Sequence, residues 1–207
     1  MRIGIIGAGK IGGTLGLSWA RAGHEVMFSS RHPENLLDLV GQAGGNGLAG
    51  TVPEACEHAE LLVLAVPYDH LDDALNRMGD LGDRLVIDAT NPYRFVPGEG
   101  MHRLIPEDTS AGMLLHQRLP GTHLFKVFSS IPARWLTQHA FQEPDWMAAP
   151  YCTISQPLIS TIENIINDTG FEPVLVGSFQ QCQRIELFGE FSNKPLTAAE
   201  VHEQLGH

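Results

Sequence analysis

The sequence predicts an α/β fold, a doubly wound and mostly parallel sheet with a small C-terminal extension. Short apolar runs alternate with amphipathic helical segments over the first 128 residues, a pattern typical of strands joined by crossover helices. In addition, the first apolar run, "RIGIIG" at 2–7, leads directly into a glycine-rich turn that opens a helical segment. Together these two observations indicate a Rossmann-type sheet.

The individual strands and helices are predicted from the periodicity of apolar residues, from helix-capping residues and from the prolines and glycines that interrupt regular structure. The predicted strands are 2–7, 25–30, 47–51, 59–67, 84–90, 122–128, 151–155 and 172–176. The predicted helices are 10–22, 33–44, 53–58, 70–78, 110–119 and 156–168. The run 59–67, "AELLVLAVP", is the most apolar and predicts a central strand buried on both faces. The Pro- and Gly-rich segment 91–109 is expected to be irregular and to be a lid, a binding loop or a mobile segment.

Composition excludes several classes of function. A net charge of −11 argues against a nucleic-acid partner and against docking on an anionic membrane, because both need a basic face. No apolar run reaches the length of a membrane span. The three cysteines show neither a disulfide framework nor zinc-ligand spacing, so we expect a cytoplasmic protein without a metal site.

The glycine turn is the strongest motif. Gly7, Gly9 and Gly12 form G-x-G-x-x-G between a predicted strand and a predicted helix. In this motif the first glycine permits the tight turn, the second lets the backbone approach a pyrophosphate, and the third lets the helix pack on the strand. The helix begins at Lys10 and Ile11, whose free N–H groups would face that pyrophosphate. The alternative is a glycine turn without a ligand.

The end of the second strand selects the dinucleotide. NAD enzymes of this type place an acid there to hold the ribose hydroxyls, but no acid occurs between Val26 and Pro33. Ser29 and Ser30 offer hydroxyl donors, and Arg31 offers a guanidinium suited to a 2′-phosphate. We therefore expect NADP(H) rather than NAD(H); the alternative is a solvated strand end.

Four stretches together resemble the coenzyme F420-dependent NADP oxidoreductase family. They are "MRIGIIGAGKIGGTLG", "GHEVMFSSR", "AELLVLAVPYDHLDDAL" and "FSSIPARWL". The resemblance implies an NADP-binding Rossmann domain over 1–128 and a small extension over 129–207 that packs on the same sheet. It also implies hydride transfer between NADP(H) and a flat acceptor, either F420 (a deazaflavin) or a flavin.

The resemblance also implies roles for particular residues. Ser30 and Arg31 match the 2′-phosphate site of the family, and a segment after the fourth strand matches the lining of the nicotinamide half. That segment consists of Ala65, Val66 and Pro67. The family's further basic residue after the serine–arginine pair is replaced here by Asn35.

The cleft for the second substrate is expected around two segments. Ile131 and Pro132 match the family's loop over the redox cleft, and Ser130 stands in a pair of serines where archaeal relatives have His-Thr. Asn91 ends a predicted strand at the ligand-binding edge, where its amide could contact the nicotinamide or the acceptor; the alternative is an Asn-Pro turn. No catalytic base is assigned, because hydride transfer between rings depends mostly on positioning.

The sequence leaves alternatives for three arginines, for the assembly and for the function. Arg94, Arg103 and Arg134 flank the expected cleft and either meet an anionic tail of the acceptor or are solvated. The partner is a small redox acceptor, and a homodimer is one alternative assembly. Other functions that fit are a reductase of a small carbonyl or imine, and a non-catalytic NADP(H) sensor.

Overall fold

A central eight-stranded sheet organises the chain. The computed structural model describes residues 1–206. The strands of the sheet are β1 Arg2–Ile6, β2 Glu25–Ser29, β3 Gly47–Gly50, β4 Leu61–Leu64, β5 Leu85–Asp88, β8 His123–Lys126, β9 Ala148–Thr153 and β10 Glu172–Gly177, whereas β6 Tyr93–Val96 and β7 Gly100–Arg103 form a separate hairpin. The order of the strands in the sheet is β10-β9-β8-β5-β4-β1-β2-β3. All neighbours are parallel except β8 and β9. The predicted doubly wound, mostly parallel fold is therefore confirmed.

Helices cover both faces of this sheet. Their bounds are α1 Lys10–Arg21, α2 Leu37–Ala43, α3 Val52–His58, α4 Leu71–Met78, α5 Ala111–Arg118, α6 Trp135–Gln138, α7 Ile159–Asn167, α8 Cys182–Ile185 and α9 Ala198–Leu205. Capping boxes begin α3 at Thr51 and α9 at Thr197. Two clusters of buried apolar side chains form the core, and each contains side chains from alternate positions of the same strands.

The segment 91–109 corrects one expectation. Instead of being irregular throughout, it contains an antiparallel hairpin of β6 Tyr93–Val96 and β7 Gly100–Arg103. Its strands are only four residues long and expose Phe95 and Met101, so they lack the buried alternation that would reveal them in the sequence.

The strands after residue 128 extend the same sheet. β9 pairs antiparallel with β8, and β10 pairs parallel with β9. The indole Nε1 of Trp19 in α1 donates to the carbonyl of Ile165 in α7 at 2.8 Å, which ties the two ends of the chain together. Within residues 1–206, no helix has the length and apolar character needed to cross a membrane.

Candidate dinucleotide-binding site

The strand order determines which edge of the sheet is expected to bind a ligand. From β1 the chain winds outward through β2 and β3, and then returns to β4 on the other side of β1. The carboxyl ends of β1 and β4 therefore lie side by side at the switch point, where open α/β sheets bind their ligands. The Ala65 N–H donates to the Ile6 carbonyl at 2.9 Å and fixes this edge.

Each of the three glycines of the turn is needed for a different reason. Gly7 has a φ of +100°, and a Cβ there would lie 2.8 Å from Cγ1 of Val66. A Cβ on Gly12 would collide with the Gly7 carbonyl, so this glycine permits close packing of α1 on β1. By contrast, no atom lies within 4 Å of where a Cβ of Gly9 would be. Gly9 thus presents bare backbone to open space, which is the cradle that a pyrophosphate needs.

The N-terminus of α1 is free to bind an anion. Gly9 is the N-cap residue and makes no side-chain cap, and the first turn contains no acid. The N–H groups of Lys10, Ile11 and Gly12 therefore have no capping carboxylate competing for them. A twelve-residue helix adds a partial positive charge at this end.

A cavity of about 300 Å³ lies beside this turn. Its walls come from the carboxyl ends of β1, β2 and β4 and from one face of α4. The residues predicted for the cofactor that line it are Gly7, Gly9, Ser29, Ser30, Arg31, Val66 and Pro67. Ala65 is not among the lining residues; its Cβ lies 3.1 Å from the position that a Cβ of Gly12 would take, so it packs against the start of α1.

The three polar residues after β2 differ in what their side chains do. Ser29 is buried and its hydroxyl donates to the Ile5 carbonyl at 2.7 Å, so it secures the strand end. The Ser30 hydroxyl accepts from the His32 N–H at 3.1 Å and shapes the turn. Arg31 is exposed and forms no ion pair with a carboxylate of residues 1–206. Arg31 is therefore the cation at this wall whose charge is available to a phosphate.

One wall of this cavity was missed by the sequence analysis. His70, the residue before α4, lines the cavity together with Asp73 and Arg77 of α4, three and four residues apart. The Arg77 Nε donates to both carboxylate oxygens of Asp73, at 3.1 and 3.0 Å. These bonds lower the pKa of Asp73, and the charge of Arg31 contributes in the same direction. The 70–77 spacing was the signal available in the sequence, but it indicates a helix face without saying which way that face turns.

The residues predicted for the redox cleft lie at the ends of β5 and β8. The Asn91 amide donates to the Ser129 carbonyl and accepts from the Leu187 N–H, both at 2.8 Å, so it joins three chain segments. Ile131 is buried in the core, and Pro132 lines a second cavity together with Lys10. The buried Ser130 Oγ has no hydrogen-bond partner among the described residues.

A fully buried charge network lies at these strand ends. The Lys126 Nζ donates to Asp88 Oδ2 at 2.8 Å and to the Thr90 carbonyl, and lies 3.9 Å from Glu186 Oε1. Glu186 in turn accepts from the N–H groups of Ala111 and Gly112, at 3.1 and 2.9 Å, at the start of α5. Burial raises the pKa of Glu186, against the opposing effect of Lys126. The network fixes the ends of β5 and β8 to the C-terminal segment.

Within residues 1–206, no group of three or more His, Cys, Asp or Glu side chains is arranged to hold a metal ion. In the cavity beside the glycine turn, the carboxylate of Asp73 is bound by Arg77, which leaves Arg31 and the backbone N–H groups of the turn as the groups that suit an anion such as a phosphate.

Comparisons with known proteins agree with this geometry. Residues 2–92 match the family model described as NADP oxidoreductase, coenzyme F420-dependent. The fold is similar to that of a hypothetical protein from Sinorhizobium meliloti, with a TM-score of 0.84, 24% identity and 95% of each chain covered. It is also similar to a protein from Arthrobacter sp. assigned as an F420-dependent NADP reductase, with a TM-score of 0.78 and 18% identity over 88% of this chain and 87% of that one.

A third similar structure is a larger enzyme. The reductive aminase from Aspergillus terreus, in complex with NADPH and ethyl levulinate, gives a TM-score of 0.62 at 15% identity. The match covers 99% of this chain but only 60% of that one. At this identity the likeness shows the fold alone. Residues 2–92, less than half of the chain, match the model of the coenzyme F420-dependent NADP oxidoreductase family and so are similar to that family.

Proposed function

We propose that the protein is an NADP(H)-dependent oxidoreductase that transfers a hydride between the nicotinamide and a flat acceptor of the F420 or flavin type. The observation that carries the proposal is the cavity beside the glycine turn, where Gly9 offers bare backbone and Arg31 offers an unpaired cation. The family match over 2–92 supports the choice of NADP(H) and of an F420-type acceptor.

The chain's own residues would work by binding and positioning. The N–H groups at the start of α1 would hold the pyrophosphate, and Arg31 with Ser30 would hold the 2′-phosphate. Val66 and Pro67 would line the path toward the nicotinamide. When bound, NADPH supplies a hydride, which carries two electrons and one hydrogen nucleus; NADP⁺ is released, and a solvent proton completes the reduction of the acceptor.

A positioning mechanism also requires no catalytic base. Hydride transfer between two planar rings needs a short distance and aligned faces rather than a strong base. The network around Lys126 holds β5, β8 and the segment near Glu186 in one fixed arrangement, and the Asn91 amide adds two more ties. Rigid walls of this kind are what a positioning mechanism requires.

A second candidate is a reductase of a small imine or carbonyl. It is favoured by the similarity in fold to the reductive aminase, which binds NADPH and ethyl levulinate. That enzyme has additional chain beyond the matched 60%.

The test is anaerobic oxidation of NADPH, with NADH in parallel, against oxidised F420, FMN, FAD and riboflavin. We expect rapid oxidation of NADPH, and much slower oxidation of NADH, with at least one of these acceptors. If NADPH binds but no ring acceptor is reduced, the flat-acceptor proposal is wrong and cyclic imines should be tried next. Equal rates with NADH would show that Arg31 does not select the cofactor.

A further inference from the structure

A second cavity, of about 410 Å³, lies beside the N-terminal half of α1. Lys10, Thr14, Pro132, Ala133 and Arg134 line it, so it is bounded by the first two turns of α1 and by the loop that follows β8. It shares no lining residue with the cavity beside Arg31. Gly9 lines the first cavity and Lys10, the next residue, lines the second, so both cavities border the start of α1, which is expected to hold the pyrophosphate.

The loop that carries Arg134 is firmly anchored. Ile131 is buried in the core, and the Ser129 hydroxyl donates to the Ile185 carbonyl at 3.0 Å. The Trp135 N–H donates to the Pro132 carbonyl at 2.8 Å and closes the turn. The Arg134 guanidinium lies over the Trp135 ring, 5.7 Å from its centroid. The cation therefore has a defined place at the rim of the cavity.

Charge distinguishes this cavity from the surface around it. The chain has 24 acidic residues against 13 lysines and arginines, so two neighbouring cations without an acid beside them differ from the average composition of the chain. Neither Lys10 nor Arg134 forms an ion pair within residues 1–206, and no acid lines the cavity. The Thr14 hydroxyl donates to the Lys10 carbonyl at 2.7 Å. The cavity thus presents two unneutralised cations in an acidic protein.

Arg134 also differs in its surroundings from Arg94 and Arg103, the two other arginines expected to flank the cleft. Arg103 donates to the Tyr93 hydroxyl at 2.9 Å and to the Thr109 carbonyl at 2.6 Å, so its guanidinium braces the hairpin. Arg94 is exposed on β6 and lines none of the cavities described here. Of the three, Arg134 is the one placed beside the loop expected to cover the redox cleft.

We propose that the side chains of Lys10 and Arg134 bind a phosphate or carboxylate group of the hydride acceptor. The acceptor is therefore an anionic compound whose charged tail lies between α1 and the 132–134 loop. This inference rests on the proposed oxidoreductase function and adds the chemical class of the second substrate. The backbone of Lys10 serves the cofactor, whereas its ammonium group serves the acceptor.

The test compares acceptors that share a ring and differ in charge. One pair is FMN and riboflavin; the other is F420 and its deazaflavin chromophore without the phosphate- and carboxylate-bearing tail. In Arg134→Gln we expect KM for the charged member to rise about 10- to 100-fold, as for the loss of a charged hydrogen bond. We expect KM for the uncharged member and the Kd of NADPH to stay unchanged. Arg134→Lys should recover part of the loss.

The control variant is Arg21→Gln, at the other end of α1 and outside the cavity. It should leave KM for all four acceptors unchanged. Equal losses of the charged and the uncharged member in Arg134→Gln would overturn the inference, because they would indicate a structural role for Arg134. A weaker Kd for NADPH would also overturn it, because the cavity would then belong to the cofactor.

A measurement of acceptor binding distinguishes a failure of this inference from a failure of the proposed function. Quenching of FMN fluorescence in the presence of NADP⁺ measures acceptor binding without turnover. FMN binding that depends on Arg134, without oxidation of NADPH, would contradict the oxidoreductase proposal and support the anion site. Turnover of FMN or F420 that is indifferent to Arg134 would overturn the anion site alone.

Discussion

Arg31 and Arg77 illustrate how local context decides the role of a cation. Both side chains line the cavity beside the glycine turn. Arg77 is held by the Asp73 carboxylate through two hydrogen bonds, which largely neutralise it. Arg31 has no such partner in the described chain and keeps its full charge for a ligand. A phosphate entering the cavity would therefore gain most from Arg31.

Replacing Arg31 with Ala should raise the Kd of NADPH by about 10- to 100-fold, because a charge-assisted hydrogen bond is worth about 1.5–3 kcal/mol. The Kd of NADH, which lacks the 2′-phosphate, should change little. Titration calorimetry of both cofactors measures this, with Arg21→Ala as the matched control. Equal weakening of both cofactors would mean that Arg31 contacts a group they share.

The position of Arg31 in the cofactor site could be predicted from the sequence, whereas that of Arg77 could not. The first follows a strand end at a fixed distance from the glycine motif, so its position depends on local structure. The second depends on how α4 is rotated against the sheet, which side-chain packing decides. The same limit applies to Asn91, whose amide bonds reach residues 38 and 96 positions away.

At the scale of elements, the first two turns of α1 combine two neighbouring glycines with different constraints. A Cβ on Gly12 would collide with the Gly7 carbonyl, which is backbone and cannot move aside. A Cβ on Gly13 would meet the Ala8 carbonyl at 3.5 Å, an ordinary contact. The packing of α1 on β1 therefore depends on one of the two glycines.

These contacts predict opposite outcomes for two adjacent substitutions. Gly12→Ala should lower the free energy of unfolding by about 1–3 kcal/mol through overpacking, and should weaken NADPH binding because the glycine turn must shift. Gly13→Ala should be neutral or stabilising by up to about 1 kcal/mol, because alanine favours helix. Urea unfolding and an NADPH titration of both variants check this. A tolerated Gly12→Ala would contradict the packing described for α1.

Most elements could be predicted from periodicity, whereas the hairpin could not. The strands 2–7, 25–30, 59–67 and 84–90 are buried on both faces and appear as apolar runs. The β6–β7 hairpin is half-exposed and carries no such run. Arg103, the last residue of β7, joins the two strands by donating to the Tyr93 hydroxyl and ties the hairpin to the following loop by donating to the Thr109 carbonyl.

At the scale of the whole molecule, the buried network joins parts of the chain that are distant in sequence. Lys126 contacts Asp88, 38 residues away, and Glu186 contacts the start of α5, 75 residues away. Burial by itself lowers the pKa of Lys126, but the charges of Asp88 and Glu186 outweigh it and the net effect raises that pKa. Such a network cannot be predicted from one sequence, because no local pattern pairs these residues.

The raised pKa of Glu186 predicts a pH dependence of stability. The folded state holds this proton more tightly than the unfolded state, where the pKa is near 4.5. The contribution of Glu186 is therefore most favourable below that value and is lost as the pH rises through the raised folded pKa. Glu186→Gln, which cannot titrate, should remove this decline.

Chemical denaturation of both proteins from pH 4 to 8 measures this effect as a difference, so that other titrating groups cancel. Relative to Glu186→Gln, the wild-type protein should lose stability as the pH rises above about 4.5, the range in which the two states differ in bound protons. A wild-type protein that gains stability over the variant in that window would mean that the pKa of Glu186 is lowered in the folded state.

The central claim, that the glycine-turn cavity takes NADP(H), is tested most directly by the affinities of the wild-type protein for NADPH and NADH. The unpaired Arg31 predicts that NADPH binds at least about 10-fold more tightly than NADH at low ionic strength, with the preference shrinking as salt is added. Equal affinities, or no binding of either cofactor, would contradict the account.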